Sequence, residues 1–242
     1  MLSGLPVIYG VSPYSEDSTP KHELGTLGYS RDGRKFRYCK AGSVALVSGN
    51  VIQSPAEVAA QESIAVASNA AIGATQVTVT TGATVTADAY AGGFMVVTNT
   101  PGNGTYYKIK RHPATSGAAS CVITLYQPLI VALTSAASKV DLVFDPYDGV
   151  IQNPATANTS GIVGVALKAI TASYYGWIQT GGIAAVLAGG TGTVGSKIVA
   201  KQGTAASAIS GVHGTTEAYP VLGRAMTSGT SGENFAVYLT LD

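Results

Sequence analysis

This chain has unusually little charge. Only 11% of its 242 residues are Asp, Glu, Lys or Arg, against about 25% in an ordinary soluble domain. A solitary molecule with so little charge would present a bland, weakly self-repelling surface to water. The expectation is therefore that other subunits cover much of it. A formal net charge of +1 does not supply the concentrated positive field that releases counterions from phosphates, so nucleic acid is not an expected partner. Cysteine is scarcer still. Cys39 and Cys121 are the only two, too few for a disulfide framework and wrongly spaced for zinc, so they read as free thiols of a reducing cytoplasm. No uncharged run sustains the hydrophobicity of a membrane helix, and no membrane partner is expected. Met1–Gly10 lacks a basic leader and is broken by Gly4 and Pro6, which argues against a signal peptide.

Groups that do chemistry are thin on the ground. His22, His112 and His213 are scattered, with no carboxylate or cysteine at ligand spacing. Asp141, Asp145 and Asp148 stand at i, i+4 and i+7 rather than the i, i+2, i+4 of a calcium loop, and Pro146 interrupts them. There is no GxSxG or HExxH, and 13 acids in all are too sparse to nominate a catalytic pair. Gly190–Gly195 fits the GxGxxG spacing and is followed by Ser196-Lys197. A dinucleotide loop needs a helix after it, however, and Ile198-Val199 favour a strand, so these are turn glycines. Asn103-Gly104-Thr105 and Asn158-Thr159-Ser160 match the glycosylation pattern and are read as turn chemistry. No cofactor, metal or catalytic residue is expected, and the chain is not expected to be an enzyme.

What the chain does have is β sequence. Lys35-Phe36-Arg37-Tyr38 alternates basic and aromatic residues, placing the aromatics on one face of a strand and the bases on the other. Asp32-Gly33 before it is a turn pair, predicting a hairpin between Thr26–Tyr29 and Lys35–Tyr38. Val44–Val47 is expected as a short apolar strand, followed by a turn into Val51–Gln53 that Pro55 ends. Ala56–Ala71 has helix-forming composition and is expected as a short helix or connector. Strands follow at hairpin spacing over Thr75–Thr81, Gly92–Thr98, Thr105–Lys110, Cys121–Tyr126, Ile130–Leu133 and Lys139–Phe144. Beyond Ile162 they continue at Gly164–Ala169, Tyr175–Thr180, Ile183–Leu187, Lys197–Val199, Ala218–Ala225 and Phe235–Leu241.

Two internal echoes organise this series. Val51-Ile52-Gln53-Ser54-Pro55-Ala56 returns as Val150-Ile151-Gln152-Asn153-Pro154-Ala155, with five of six residues identical. Val163–Ala166 followed by Tyr175–Thr180 parallels Leu222–Ala225 followed by Ala236–Leu241. The expected architecture is an all-β chain in which residues 21–56 and 150–242 form a β-barrel or sandwich domain, and 57–149 is an inserted small all-β domain. Residues 1–20, spaced by Pro6, Pro13 and Pro20, form an extended arm whose apolar anchors suit lying along a partner.

Leu24-Gly25-Thr26, Asp32–Tyr38 and Ala41-Gly42 resemble the opening of tailed-bacteriophage capsid decoration (cement) proteins. Tyr90–Phe94, Tyr106–Lys110, Leu125–Leu129 and Tyr174–Thr180 are similar to the same group, and the resemblance covers most of residues 21–242. It implies a virion protein, often a homotrimer, made in the host bacterial cytoplasm. Such a protein sits on the outer capsid surface and locks neighbouring major capsid protein subunits together. The insert exceeds the minimal decoration domain. Arg31, Arg34, Lys35, Phe36, Arg37 and Tyr38, the densest charged-aromatic cluster in the chain, are the expected capsid-facing footing, with Tyr9 and Tyr14 of the arm. Two alternatives stay open: a head-fibre or receptor-binding protein with the insert as its adhesive head, and a glycan depolymerase, which would need acids gathered into a groove.

Overall fold

The computed structural model describes residues 7–156, 158–201, 206–210 and 219–242. The chain forms two compact units, residues 57–145 and residues 7–56 together with 146–242. Its strands in order are β1 Val7–Tyr9, β2 Glu16–Asp17, β3 Leu27–Tyr29, β4 Lys35–Ala41, β5 Val51–Gln53, β6 Ile64–Ala65, β7 Gln76–Thr80, β8 Phe94–Val97, β9 Tyr106–Arg111, β10 Ser120–Leu125, β11 Lys139–Val143, β12 Asp148–Gln152, β13 Ile162–Ala166, β14 Tyr175–Leu187, β15 Lys197–Ala200, β16 Ala208–Ser210, β17 Val221–Ala225 and β18 Asn234–Thr240. The protein is all-β: among the described residues, helix is confined to one 3-10 turn, Ala59–Gln61.

In the larger unit β4, β12, β5, β13 and β14 pair in that order, and β14 pairs back to β4, closing a five-strand barrel. The two copies of Val-Ile-Gln are adjacent strands of its wall, β5 and β12, running antiparallel with Gln53 opposite Ile151 and Ile52 opposite Gln152. A five-strand barrel is narrow, and its interior holds small and medium side chains: Cys39, Ala41, Ile52, Val150, Ala166 and Ile178. Every second residue of β4 and β14 therefore points outward. There Phe36, Tyr38 and Trp177 form a separate buried cluster, packed by Ile8, Val11 and Leu24. The arm is extended, as its prolines predict, but from Val7 it lies on its own barrel: β1 runs parallel to β3, and β2 pairs with β14.

The sequence predicts two strands over Tyr175–Thr180 and Ile183–Leu187, where the structure has one. β14 runs unbroken for 13 residues and changes sheets at Gly181-Gly182, where Gly182 takes a φ of +81°. Its second half pairs with β18 from Gly181–Thr240 to Leu187–Asn234, and β17, β15 and β16 follow in order. The inner face of this sheet (Val186, Ile198, Leu222, Phe235, Val237, Leu239) packs with Val51 and Val165 of the barrel wall. The second echo is likewise structural. β13 pairs with β14 and β17 with β18, each antiparallel, with Ala166 opposite Ile178 and Ala225 opposite Val237.

The inserted unit is a six-strand sheet ordered β6-β11-β8-β9-β10-β7. Val66, just past β6, bridges Val79 of β7, so the sheet curls until its two ends meet. Val77, Met95, Ile109, Ile123, Leu129 and Val140 fill its core. Alternation in β7 to β11 supplies the first four and Val140 directly, and Leu129 comes from the loop after β10.

Three sequence expectations need correction here. Ala56–Ala71 is not a helix: after the 3-10 turn, Ile64-Ala65 pairs with Val140 and Lys139, so strand pairing overrides composition. Val44–Val47 and Ile130–Leu133 are loops in which only Leu46 and Leu133 make a bridge.

Those bridges belong to a recurring device. Leu46 pairs with Ile170, Ala70 with Leu133, Val85 with Thr115, and Gly192 with Gly229. In each case two strand-connecting loops cross and exchange both backbone hydrogen bonds, at 2.8–3.2 Å. Each unit holds two such crossings. Polar backbone in eight loops is satisfied this way without a helix or a longer strand.

Candidate interaction surface

β4 presents the charged-aromatic cluster as alternation predicts, but the face that carries the aromatics is covered. Phe36 is fully buried and Tyr38 is 2% exposed. Tyr38 stacks edge-on with Trp177 and His22, and its hydroxyl accepts the Lys21 N–H at 3.0 Å. Burial holds its phenol above the ordinary value. Neither ring can contact another protein, and this corrects the expected footing. Period-2 alternation separates two faces without saying which one a neighbouring segment covers, and here the arm covers the aromatic one.

The bases of the cluster are engaged by the chain itself. Arg37 makes a two-pronged pair with Asp242, Nε to Oδ2 at 2.8 Å and Nη2 to Oδ1 at 3.0 Å, and Nη1 donates to the Gly25 carbonyl. Lys35 Nζ donates to the Asp242 carbonyl at 3.2 Å. The Arg37 hydrogen bond holds the Asp242 carboxyl below its usual range. Arg34 Nε donates to Asp32 at 2.8 Å. The Asp32 carboxyl is lowered first by the Ser30 hydroxyl and then by Arg34. Of the expected footing, Arg31, Tyr9 and Tyr14 remain open, Tyr9 stacked on Tyr29 at 5.6 Å.

The remaining sequence candidates are placed as follows. His112 is buried in the inserted unit, where Nε2 accepts the Tyr90 N–H and Asp88 accepts the His112 N–H. His213 lies outside the described residues. Gly190–Gly195 lies in the loop from β14 to β15 that crosses at Gly192. Cys39 and Cys121 are both free and buried, and burial pushes both thiols up. Near the 3-10 turn Glu57 and Glu62 crowd each other, and their mutual hydrogen bond raises the Glu62 carboxyl. Among the described residues no group of three or more His, Cys, Asp and Glu is placed to hold a metal ion, and no helix is long and apolar enough to cross a membrane.

Exposed apolar side chains mark the surface instead. On the inserted unit Tyr106 and Ile130 rim a shallow depression with Tyr107, Gln127 and Pro128, and Lys108 sits over the nearby Tyr126 ring. On the larger unit Ile183 and Tyr238 stand directly opposite each other on β14 and β18, each about half exposed. The sequence reading singled out neither. The alternation of Asn234–Thr240, with Phe235, Val237 and Leu239 buried, is the pattern that marks Tyr238 as outward. No family model, curated protein or solved structure matches the chain.

Proposed function

We propose that this chain is a structural protein of a phage virion that decorates the outer surface of the capsid and stabilises it by bridging neighbouring major capsid protein subunits. The supporting observation is the surface itself. Eighteen large hydrophobic side chains, from Tyr9 and Val44 to Ile130 and Tyr238, stand exposed among the described residues of a chain with 11% charge. Where such side chains gather, as Tyr106 does with Ile130 and Ile183 with Tyr238, they offer apolar ground that other subunits can cover. The likeness of residues 24–42 to decoration proteins points the same way. A modest contact repeated over a closed shell gives a large total through effective concentration. The test is to heat shells assembled without the chain, with and without added purified protein. Saturable binding and a higher disruption temperature support the proposal, and unchanged shells contradict it.

A second reading keeps the inserted unit as the adhesive head of a fibre-like protein. Tyr106, 67% exposed above its depression, favours it, since exposed aromatic rings stack on apolar faces of ligands. Binding of the isolated protein to host cells, abolished by Tyr106→Ala, would support this reading over decoration.

A further inference from the structure

On the outer face of the sheet β14–β18–β17–β15, register places four residues in one row. Ile183 stands opposite Tyr238, Tyr238 opposite Arg224, and Arg224 opposite Lys197. Directly opposed residues share a face, so the row crosses four strands and spans roughly 14 Å at the usual strand spacing. Val221 and Met226 flank it, 47% and 50% exposed, and with Lys197, Arg224 and Tyr238 they line a shallow apolar depression. The opposite face of the same strands is the packed core around Val186, Leu222 and Val237, so the row is fixed on a rigid base.

Among the described residues, the charges in this row are of one sign. Arg224 is exposed and Lys197 half-buried, and neither makes an ion pair among the described residues. By contrast, Arg34, Arg37, Lys40 and Lys168 each sit within 4 Å of a carboxylate of their own chain. Unpaired cations beside open apolar ground complement a surface that carries carboxylates beside apolar side chains. A two-fold contact of this face with itself would bring Arg224 and Lys197 of both copies together, which like-charge repulsion opposes. Two cations also fall well short of the array a phosphate backbone needs.

We propose that this face, centred on Ile183, Tyr238 and Arg224, is the docking surface of the chain, and that its occupant is a carboxylate-bearing, partly apolar protein surface on the capsid shell. This deepens the decoration reading and rests on it. Ile183 and Tyr238 supply the desolvated centre, and Arg224 and Lys197 set partner choice and register at its margin.

The test measures binding of the full chain to shells purified from a virus strain lacking its gene. Wild type is compared with Arg224→Glu, Tyr238→Thr and Ile183→Thr, and with Lys21→Glu, an exposed base elsewhere on the same unit. Circular dichroism and a thermal melt confirm that each variant is folded. Arg224→Glu and Tyr238→Thr should each weaken shell binding by about tenfold or more, Lys21→Glu should leave it unchanged, and added salt should weaken wild-type binding. Wild-type binding with no loss in the three face variants overturns this docking surface while leaving decoration standing. Wild type that does not bind shells overturns both, whereas face variants that change only the mass of the chain's own oligomer or its binding to anionic lipid vesicles overturn the docking surface alone.

Discussion

Leu46 and Ile170 exchange two backbone hydrogen bonds, N–H to O at 2.9 and 3.2 Å, where the loop from β4 to β5 crosses the loop from β13 to β14. Three residues after each lies a left-handed residue, Gly49 at φ +82° and Ser173 at φ +64°. The Gly49 N–H donates to the Ala166 carbonyl at 2.7 Å, and the Ser173 N–H to the Gly42 carbonyl at 2.9 Å. The two loops are thus related by a local pseudo-two-fold. The crossing at Gly192 and Gly229 repeats it, with Gly195 and Gly232 donating to Ala225 and Ala188. In the inserted unit the crossing of Ala70 with Leu133 does the same through Gly73 and Ala136.

If these loops are backbone equivalents, exchanging their left-handed residues has opposite effects. Gly49→Ala puts a Cβ at φ +82° and 2.5 Å from Asn234 Oδ1, and should cost about 1–2 kcal/mol. For a chain of this size that corresponds to a melting temperature lower by roughly 2–8 °C. Ser173→Gly removes a Cβ from the same backbone conformation at an exposed position. It should leave stability unchanged or raise it by up to about 1 kcal/mol, strain relief being offset by the entropy of glycine. Thermal melts of both variants decide this, and a Ser173→Gly penalty as large as that of Gly49→Ala would contradict the equivalence.

The Arg37–Asp242 pair gives stability with a defined pH dependence. Both side chains are about three-quarters covered, and the native Asp242 carboxyl is lowered chiefly by the Arg37 hydrogen bond. A depressed carboxylate contributes stability that is fully present above the unfolded value of about 3.9 and is lost as pH falls through the lower native value. Asp242→Asn should therefore cost about 1 kcal/mol at pH 7, with the gap to wild type closing as pH drops below 3.9. Urea unfolding at pH 7 and near pH 2.5 measures it. A gap of equal size at both would assign the loss to packing instead.

Each unit has its own core, and β5 and β12, which flank the insert in sequence, are hydrogen-bonded neighbours. Residues 57–145 expressed alone should fold as a β unit with a cooperative melt. A chain in which a short glycine-containing turn joins Ala56 to Pro146 should keep the barrel, because the flanking strands already run antiparallel. Dispersed amide spectra from both pieces are the expected result. An unfolded barrel piece would show that the insert is needed to pair β5 with β12.

The sequence carried the β class and the hairpin at Asp32-Gly33, where Gly33 does take positive φ at +83°, because alternation and turn chemistry are local. It also carried the kinship of the two Val-Ile-Gln segments, though not that they pair with each other. What it could not carry was which side of a strand another segment would cover. Phe36 and Tyr38 are alternating aromatics whether buried or exposed, and only the return of Ile8, Val11 and Leu24 decides. The crossing loops were equally hidden. Gly192 and Gly229 have no side chains to announce a bridge, and Leu46 in Val44–Val47 looks like a strand because bridge and strand both favour apolar residues. The proposed docking row fails to show in sequence for a related reason, since Ile183, Arg224 and Lys197 meet only through register across strands.

The central claim is that this chain coats a capsid, and the most direct measurement is the mass of single shells titrated with purified protein. Shells lacking the chain should gain mass to a plateau at a fixed number of copies per capsomer, with a thermal disruption point that rises in step. A protein that leaves shell mass unchanged while binding host cells would contradict decoration and favour the fibre reading.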